Sequence, residues 1–285
     1  MKIEGNAGTG NTFTEINIAH VENYNPNVKV VENHYYSKSV KKDDCGMRLK
    51  HITFTGIDAK TDIRALCDIQ NRWPMVEFGV LTSYHWYENG NRYLDPMIID
   101  KLRGYGLNLA LHVCGSAAHD AACGNWRQID KLVWMNLDIF DRVQLNIANR
   151  QDNPSCCHIP LVNGKEVIIQ QRGIDNLDMY FATLNKWRQP SYKWSMLLDS
   201  SGGRGIDTPL KVYESRRKVG YAGGINPDNV GDKLSFLLEN VKTGEFWIDM
   251  ESGVRTDDWF DVDKVVKVME ICENVIKEGG YNGKE

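Results

Sequence analysis

The sequence predicts an α/β fold, a (β/α)8 or TIM barrel. Three observations carry this expectation. Eight short β-like runs recur from residue 51 onward, helix-period segments fill most of the gaps, and the later runs close in glycine turns.

The runs are HITFTGID from His51, VEFGVLTS from Val76, LNLALHVCG from Leu107 and RVQLNIA from Arg142. EVIIQQRG follows from Glu166, SMLLDSSGG from Ser195, GYAGGIN from Gly220 and FWIDMESG from Phe246. Eight is the number a closed parallel barrel needs. Between them, TDIRALCDIQNRW sets Ile63, Leu66, Cys67 and Ile69 near one helical face. DNVGDKLSFLLENV does the same with Val230, Leu234, Leu237, Leu238 and Val241. VDKVVKVMEICENVIKEGG reads as a C-terminal helix stopped by glycines. ANRQDNPSCCHIPLVNGKE, after the fourth run, has two prolines and no helical period, so a loop is expected to replace a helix there. An open doubly wound sheet would place a GxGxxG after its first strand. GNAGTGN at 5–11 has similar glycines but no strand before it.

Residues 1–48 form an N-terminal extension, and 49–285 form the barrel. The extension is rich in Asn, Gly and Thr, with short alternating pieces such as TFTEINI and VKVVENHYY. It reads either as a polar tail or as an arm whose strands pair with a second copy of the chain or another protein.

The chain has 285 residues, 42% hydrophobic and 25% charged, with a net charge of −4. That composition suits a globular domain and argues against a nucleic-acid surface. No apolar run approaches the roughly 20 residues of a membrane span, and MKIEGNAGTGNTFTE has no secretory apolar core. The seven cysteines form no repeated CxxC pair, so reduced thiols in a cytoplasm are expected. Neither Cys114, His119 and Cys123 nor Cys156-Cys157-His158 has a zinc spacing, so no metal and no cofactor are expected.

Candidate site residues gather at the predicted strand ends. In VGYAGGINPDNV, Gly223-Gly224 expose backbone N–H groups, Asn226 can cap a helix and Pro227 fits its first position. That arrangement suits an anion such as phosphate, although a plain strand-to-helix turn would look the same. His112 and Cys114 are two apart on the third strand and share a side, as do Gln170 and Arg172 on the fifth. A histidine has a pKa suited to proton transfer, and Arg172 could hold a carboxylate or a second phosphate. Asp58 lies just past the first strand. Tyr84, His85, Trp86 and Tyr87 follow the second, either to stack on a planar ring or to pack on themselves.

Over residues 51–255 the chain resembles phosphoribosylanthranilate isomerase, a tryptophan-pathway (β/α)8 barrel. LLDSSGGRG (197–205), AGGINPDNV (222–230) and IDMESGV (248–254) carry the resemblance most specifically; TFTGID, NRYLDP and VQLNI add to it. The resemblance implies an Amadori rearrangement of an aminoaldose phosphate, with a phosphate held by Gly203, Gly223, Gly224, Ser252 and Gly253. It implies Asp199 as the acid, Arg92 as the carboxylate anchor and Asp249 as a pocket contact; Asn146 replaces the family's strand-four histidine and could hydrogen-bond a substrate. The family's first-strand cysteine, its base, is Thr55 here, which is expected to contact the substrate instead. A hydroxyl is far too weakly acidic to replace a thiolate on its own, so His112, Cys114 or Asp58 is expected to serve, with His112 paired to Asp199 across the mouth. The expected ligand is a phosphorylated small molecule. A lyase, transferase or glycosyl-transfer enzyme on the same scaffold, and a non-catalytic binder of a phosphorylated ligand, are the alternative readings.

Overall fold

A computed structural model describes residues 48–88, 90–147, 164–171, 193–213, 215 and 217–279. Residues 1–47 of the N-terminal extension, residues 148–163 after the fourth strand and Arg172 lie outside them.

Each of the eight predicted runs forms a strand: β1 (Leu49–Thr55), β2 (Val76–Thr82), β3 (Leu109–Cys114), β4 (Arg142–Asn146), β5 (Glu166–Gln171), β6 (Trp194–Asp199), β7 (Val219–Ala222) and β8 (Phe246–Met250). All neighbours pair in parallel, and β8 pairs with β1, so the sheet closes into a barrel. The described helices are α1 (Ile63–Arg72), α2 (Pro96–Leu102), α3 (Ser116–Ala122), α4 (Trp126–Leu132), α5 (Val230–Asn240) and α6 (Val262–Glu278). The described part of the β6–β7 connection contains no helix.

Period-2 alternation sorts each strand into two faces. Ile52, Phe54, Phe78, Leu111, Val143, Met196, Tyr221 and Ile248 point outward and join the helices in one buried apolar cluster. Leu66 and Ile69 of α1, and Val265, Val268, Met269 and Cys272 of α6, complete that cluster. Burying each such aliphatic side chain stabilises the fold by about 1.5–3 kcal/mol. Asp261 caps α6 by accepting from the backbone N–H of Asp263 (3.0 Å) and Lys264 (3.1 Å).

The inward face holds polar residues. Arg142 of β4 lies 4.5 Å from the Trp247 ring centroid of β8, a contact between opposite strands that only the lumen allows. Trp247 fills this space because Gly220 has no side chain: a Cβ there would sit 2.2 Å from the indole. Beside it, Arg142 donates to Glu77 through Nε (2.7 Å) and Nη2 (2.6 Å), and Thr53 donates to Glu77 at 2.9 Å. Glu166 accepts from Ser195 (2.5 Å) and pairs with Lys218 (2.6 Å). Burial raises the Glu77 pKa, but the guanidinium overrides it and holds the carboxyl at about 2.

After β8 the chain makes a 3-10 turn (Ser252–Val254), then a hairpin of β9 (Arg255–Thr256) and β10 (Trp259–Phe260). Its two-residue loop, Asp257-Asp258, has both φ values positive, as a type I′ turn requires. No described helix is long and apolar enough to cross a membrane.

Candidate active site

The C-terminal ends of the strands carry the acidic groups. Asp199 ends β6 and is 4% exposed. Its Oδ1 accepts from the Ser201 N–H (3.0 Å) and hydroxyl (2.7 Å); its Oδ2 accepts from Gln170 Nε2 (2.9 Å) and the Gly203 N–H. The Gly203 amide is therefore aimed at Asp199.

The glycine turns after β6, β7 and β8 converge. Gly224 has φ +63°, and a Cβ there would sit 2.3 Å from the Asp207 N–H nitrogen. A Cβ at Gly223 would sit 2.2 Å from Ser200 Oγ, and one at Gly253 2.0 Å from the Ile225 carbonyl. These glycines are thus required first by close passage of neighbouring chain. Lys233 of α5 fastens the arrangement by donating to the Gly223 carbonyl (2.6 Å) and Thr208 carbonyl (3.0 Å) and pairing with Asp207 (2.7 Å).

Asn226 caps the turn leading into α5 as its sequence suggests. Its Oδ1 accepts from the Asp228 N–H (2.8 Å), while Asn229 Oδ1 accepts from the Asn226 N–H (2.9 Å). This reciprocal pair resembles a capping box. It also uses the Asn226 N–H. Pro227 has none, and the Asn229 N–H is spent on the Asn226 carbonyl (3.2 Å). The N–H groups of Asn226, Asp228 and Asn229 are thus all spent on the protein's own acceptors.

His112 faces the lumen, 2% exposed, with Nδ1 3.1 Å from Gln144 Nε2. Its Nε2 has no hydrogen-bond partner among the described residues. The next inward residues on β3 and β4, Cys114 and Asn146, bond to each other at 3.4 Å. Burial, with Arg142 nearby, pushes the His112 pKa down to about 4 and burial pushes the Cys114 thiol up to about 11. At neutral pH these are a weakly basic neutral imidazole and an un-ionised thiol.

Asp58 is occupied elsewhere. It accepts from Arg255 Nη2 (3.2 Å), the Phe260 N–H (2.6 Å), the Lys60 N–H (3.0 Å) and Thr61 (3.1 Å). It ties the β1 loop to the β9–β10 hairpin. Arg92 sits at the rim, 36% exposed, bonded to Glu251 (2.8 Å) and Asp258 (2.8 Å). A substrate carboxylate would compete with both. Of the aromatic loop, Tyr84 donates to Asp120 (2.7 Å) and Trp86 meets Tyr87 edge-on at 5.9 Å, so these rings engage the protein's own side chains.

Thr55 ends β1 and donates to Asp249 Oδ1 of β8 at 2.8 Å. Asp249 is buried, and burial pushes its pKa up to about 7 against the opposing effect of that hydrogen bond. Nothing in the sequence links the two, which lie 194 residues apart. Their link depends on the β8–β1 closure, which no local pattern reports.

These features define a parallel (β/α)8 barrel with carboxylates and glycine turns at the C-terminal mouth. Within that class, residues 166–271 match the family model of N-(5'phosphoribosyl)anthranilate (PRA) isomerase. The likeness to that family is therefore confined to the second half of the barrel. The matched segment carries Asp199, the glycine turns and Asp249, but not Thr55, Arg92 or His112. No curated protein matches the chain. Among solved structures, the isomerase from Thermotoga maritima is 17% identical with TM-score 0.48, covering 79% of this chain and 100% of that one. The Pyrococcus furiosus isomerase is 16% identical with TM-score 0.46, covering 79% and 98%. Both likenesses are weak, and the fold rests on the strand order itself.

Proposed function

We propose that this protein isomerises a phosphorylated sugar or ribosyl compound by acid–base chemistry of the Amadori type. The observation that carries this is the proximity of Asp199 to the glycine turns, since Ser200, the next residue, lies against Gly223. A phosphate held by the amides of Gly224, Ser252 and Gly253 would bring the sugar under Asp199. Asp199 would then protonate the ring oxygen. The C1–O bond would break and the nitrogen lone pair would form C1=N. Thr55 in place of a thiol leads us to expect slow turnover of phosphoribosylanthranilate itself.

The test is thermal unfolding in phosphate against chloride at matched ionic strength, then turnover assays with sugar phosphates. Phosphate at about 100 times its Kd should add about 2.7 kcal/mol, several degrees in Tm. An unchanged Tm in phosphate, together with no turnover of any sugar phosphate, would sink the reading.

A further inference from the structure

We propose that Thr55 and Asp249 form a proton-accepting dyad, in which the Thr55 hydroxyl takes the proton from substrate C2 while passing its own to Asp249. The dyad rests on the acid–base reading above and supplies its missing base.

The geometry runs in the required direction. Thr55 is the last residue of β1, on the inward face. On β2 its ladder partner is Gly79, and a Cβ there would lie 2.5 Å from Thr55 Oγ1, so the hydroxyl keeps its space only because Gly79 is bare. On β8, Asp249 pairs with Thr53, one inward position deeper than Thr55. Its carboxylate reaches toward the mouth to accept the Thr55 hydroxyl at 2.8 Å. A proton entering from the mouth therefore meets the hydroxyl first and the carboxylate behind it.

The surroundings favour acceptance near neutrality. Asp249 faces Glu251 just past the end of its own strand, Glu77 on β2 and Arg142 on β4; burial and the two carboxylates raise its pKa to about 7, while Thr55 and Arg142 work the other way. A base with a pKa near the working pH is the most effective. His112, pushed down to about 4, and Cys114, pushed up to about 11, lie on either side of that range.

The step balances. The C2–H bond breaks, its electron pair forms C1=C2, and the C1=N pair moves onto nitrogen. The Thr55 hydroxyl is regenerated and Asp249 becomes a carboxylic acid. C1 then takes up a proton and the C2 hydroxyl releases one, giving an aminoketose isomeric with the substrate. In an aldose phosphate without the amine, the carbonyl oxygen takes the electron pair instead.

The experiment uses the full chain with two probes. Phosphoribosylanthranilate is followed by its fluorescence with enzyme in excess. D-ribose 5-phosphate in D2O is followed by loss of its C2 proton signal. Thr55→Val and Asp249→Asn, each checked for fold by circular dichroism, should lower the rate by about 10²–10⁴-fold. Thr55→Ser should lose only a few-fold. Thr55→Cys added to Asp249→Asn should restore activity, because a thiolate needs no acceptor behind it, and should move the rising limb of the pH profile toward the thiol range. Structural damage at Asp249 would show no such rescue. Wild-type rates in either Thr55→Val or Asp249→Asn overturn the dyad while leaving the isomerase reading in place. A double variant as slow as Asp249→Asn overturns it as well. No reaction of wild type with either probe overturns the isomerase reading and the dyad together.

Discussion

Glu77 and Arg142 meet inside the barrel through two near-parallel hydrogen bonds, of 2.7 and 2.6 Å, with side chains 2% and 4% exposed. Two charges removed from water hold together only while both are present. Glu77→Gln is therefore expected to cost about 3–5 kcal/mol in urea unfolding, because it strands the guanidinium. Replacing both partners with apolar residues should cost much less than the sum of the single losses. A Glu77→Gln loss below about 1 kcal/mol would show that Glu166 alone can satisfy Arg142.

Acid should weaken the fold through the buried imidazoles. His112 and His51 are each pushed down to about 4 from an unfolded value near 6.5, both mainly by burial. The unfolded chain takes up these protons first, so stability is fully present above pH 6.5 and falls as pH drops toward 4. One proton contributes a slope of at most about 1.4 kcal/mol per pH unit. His112→Gln should flatten the stability–pH curve in that window. A curve of unchanged steepness would place the acid sensitivity elsewhere.

Asp249 has the opposite sign. Its carboxyl ionises near 7 in the fold and near 3.8 in the unfolded chain, so wild type loses stability as pH rises from 3.8 through 7. Asp249→Asn keeps an acceptor for Thr55 and removes the buried acid. It should therefore melt higher than wild type at pH 8, with the gain vanishing near pH 4. A variant less stable at pH 8 would mean that the ionised carboxylate is well accommodated.

Lys233 offers a test of the loop. Hydrogen bonds to a charged donor contribute about 1.5–3 kcal/mol, and Lys233 makes two to backbone carbonyls of the β6 and β7 turns. Lys233→Met should raise amide hydrogen exchange over residues 205–208 at least tenfold and leave β1–β4 unaffected. Unchanged exchange would assign the closure of this loop to the Ser200–Thr208 hydroxyl contact (2.6 Å) instead.

All eight strands were legible because outward-facing apolar residues alternate with inward-facing ones, a pattern local to each run. Asn226 was legible as a cap because its partners are two and three residues away. The lumen partners were not. Thr55 meets Asp249 across 194 residues, and Arg142 meets Glu77 across 65. Such pairs follow from the register of the closed sheet. Asp58 and Arg92 looked free in the sequence for the same reason: their partners lie on the β9–β10 hairpin and the end of β8, far along the chain.

The Asp58–Arg255 tie, spanning 197 residues, and the β8–β1 ladder also bear on how the chain is made. At a ribosomal rate of roughly 5–20 residues per second, β1 would emerge about 10–40 s before its final neighbour exists. For that interval the nascent sheet carries an unpaired parallel edge, a template for association with other chains. Abundance in a cell should accordingly depend on chaperone capacity and translation speed. Circular permutants that bring β8 and β1 together early in synthesis should yield more soluble protein with no change in the finished contacts.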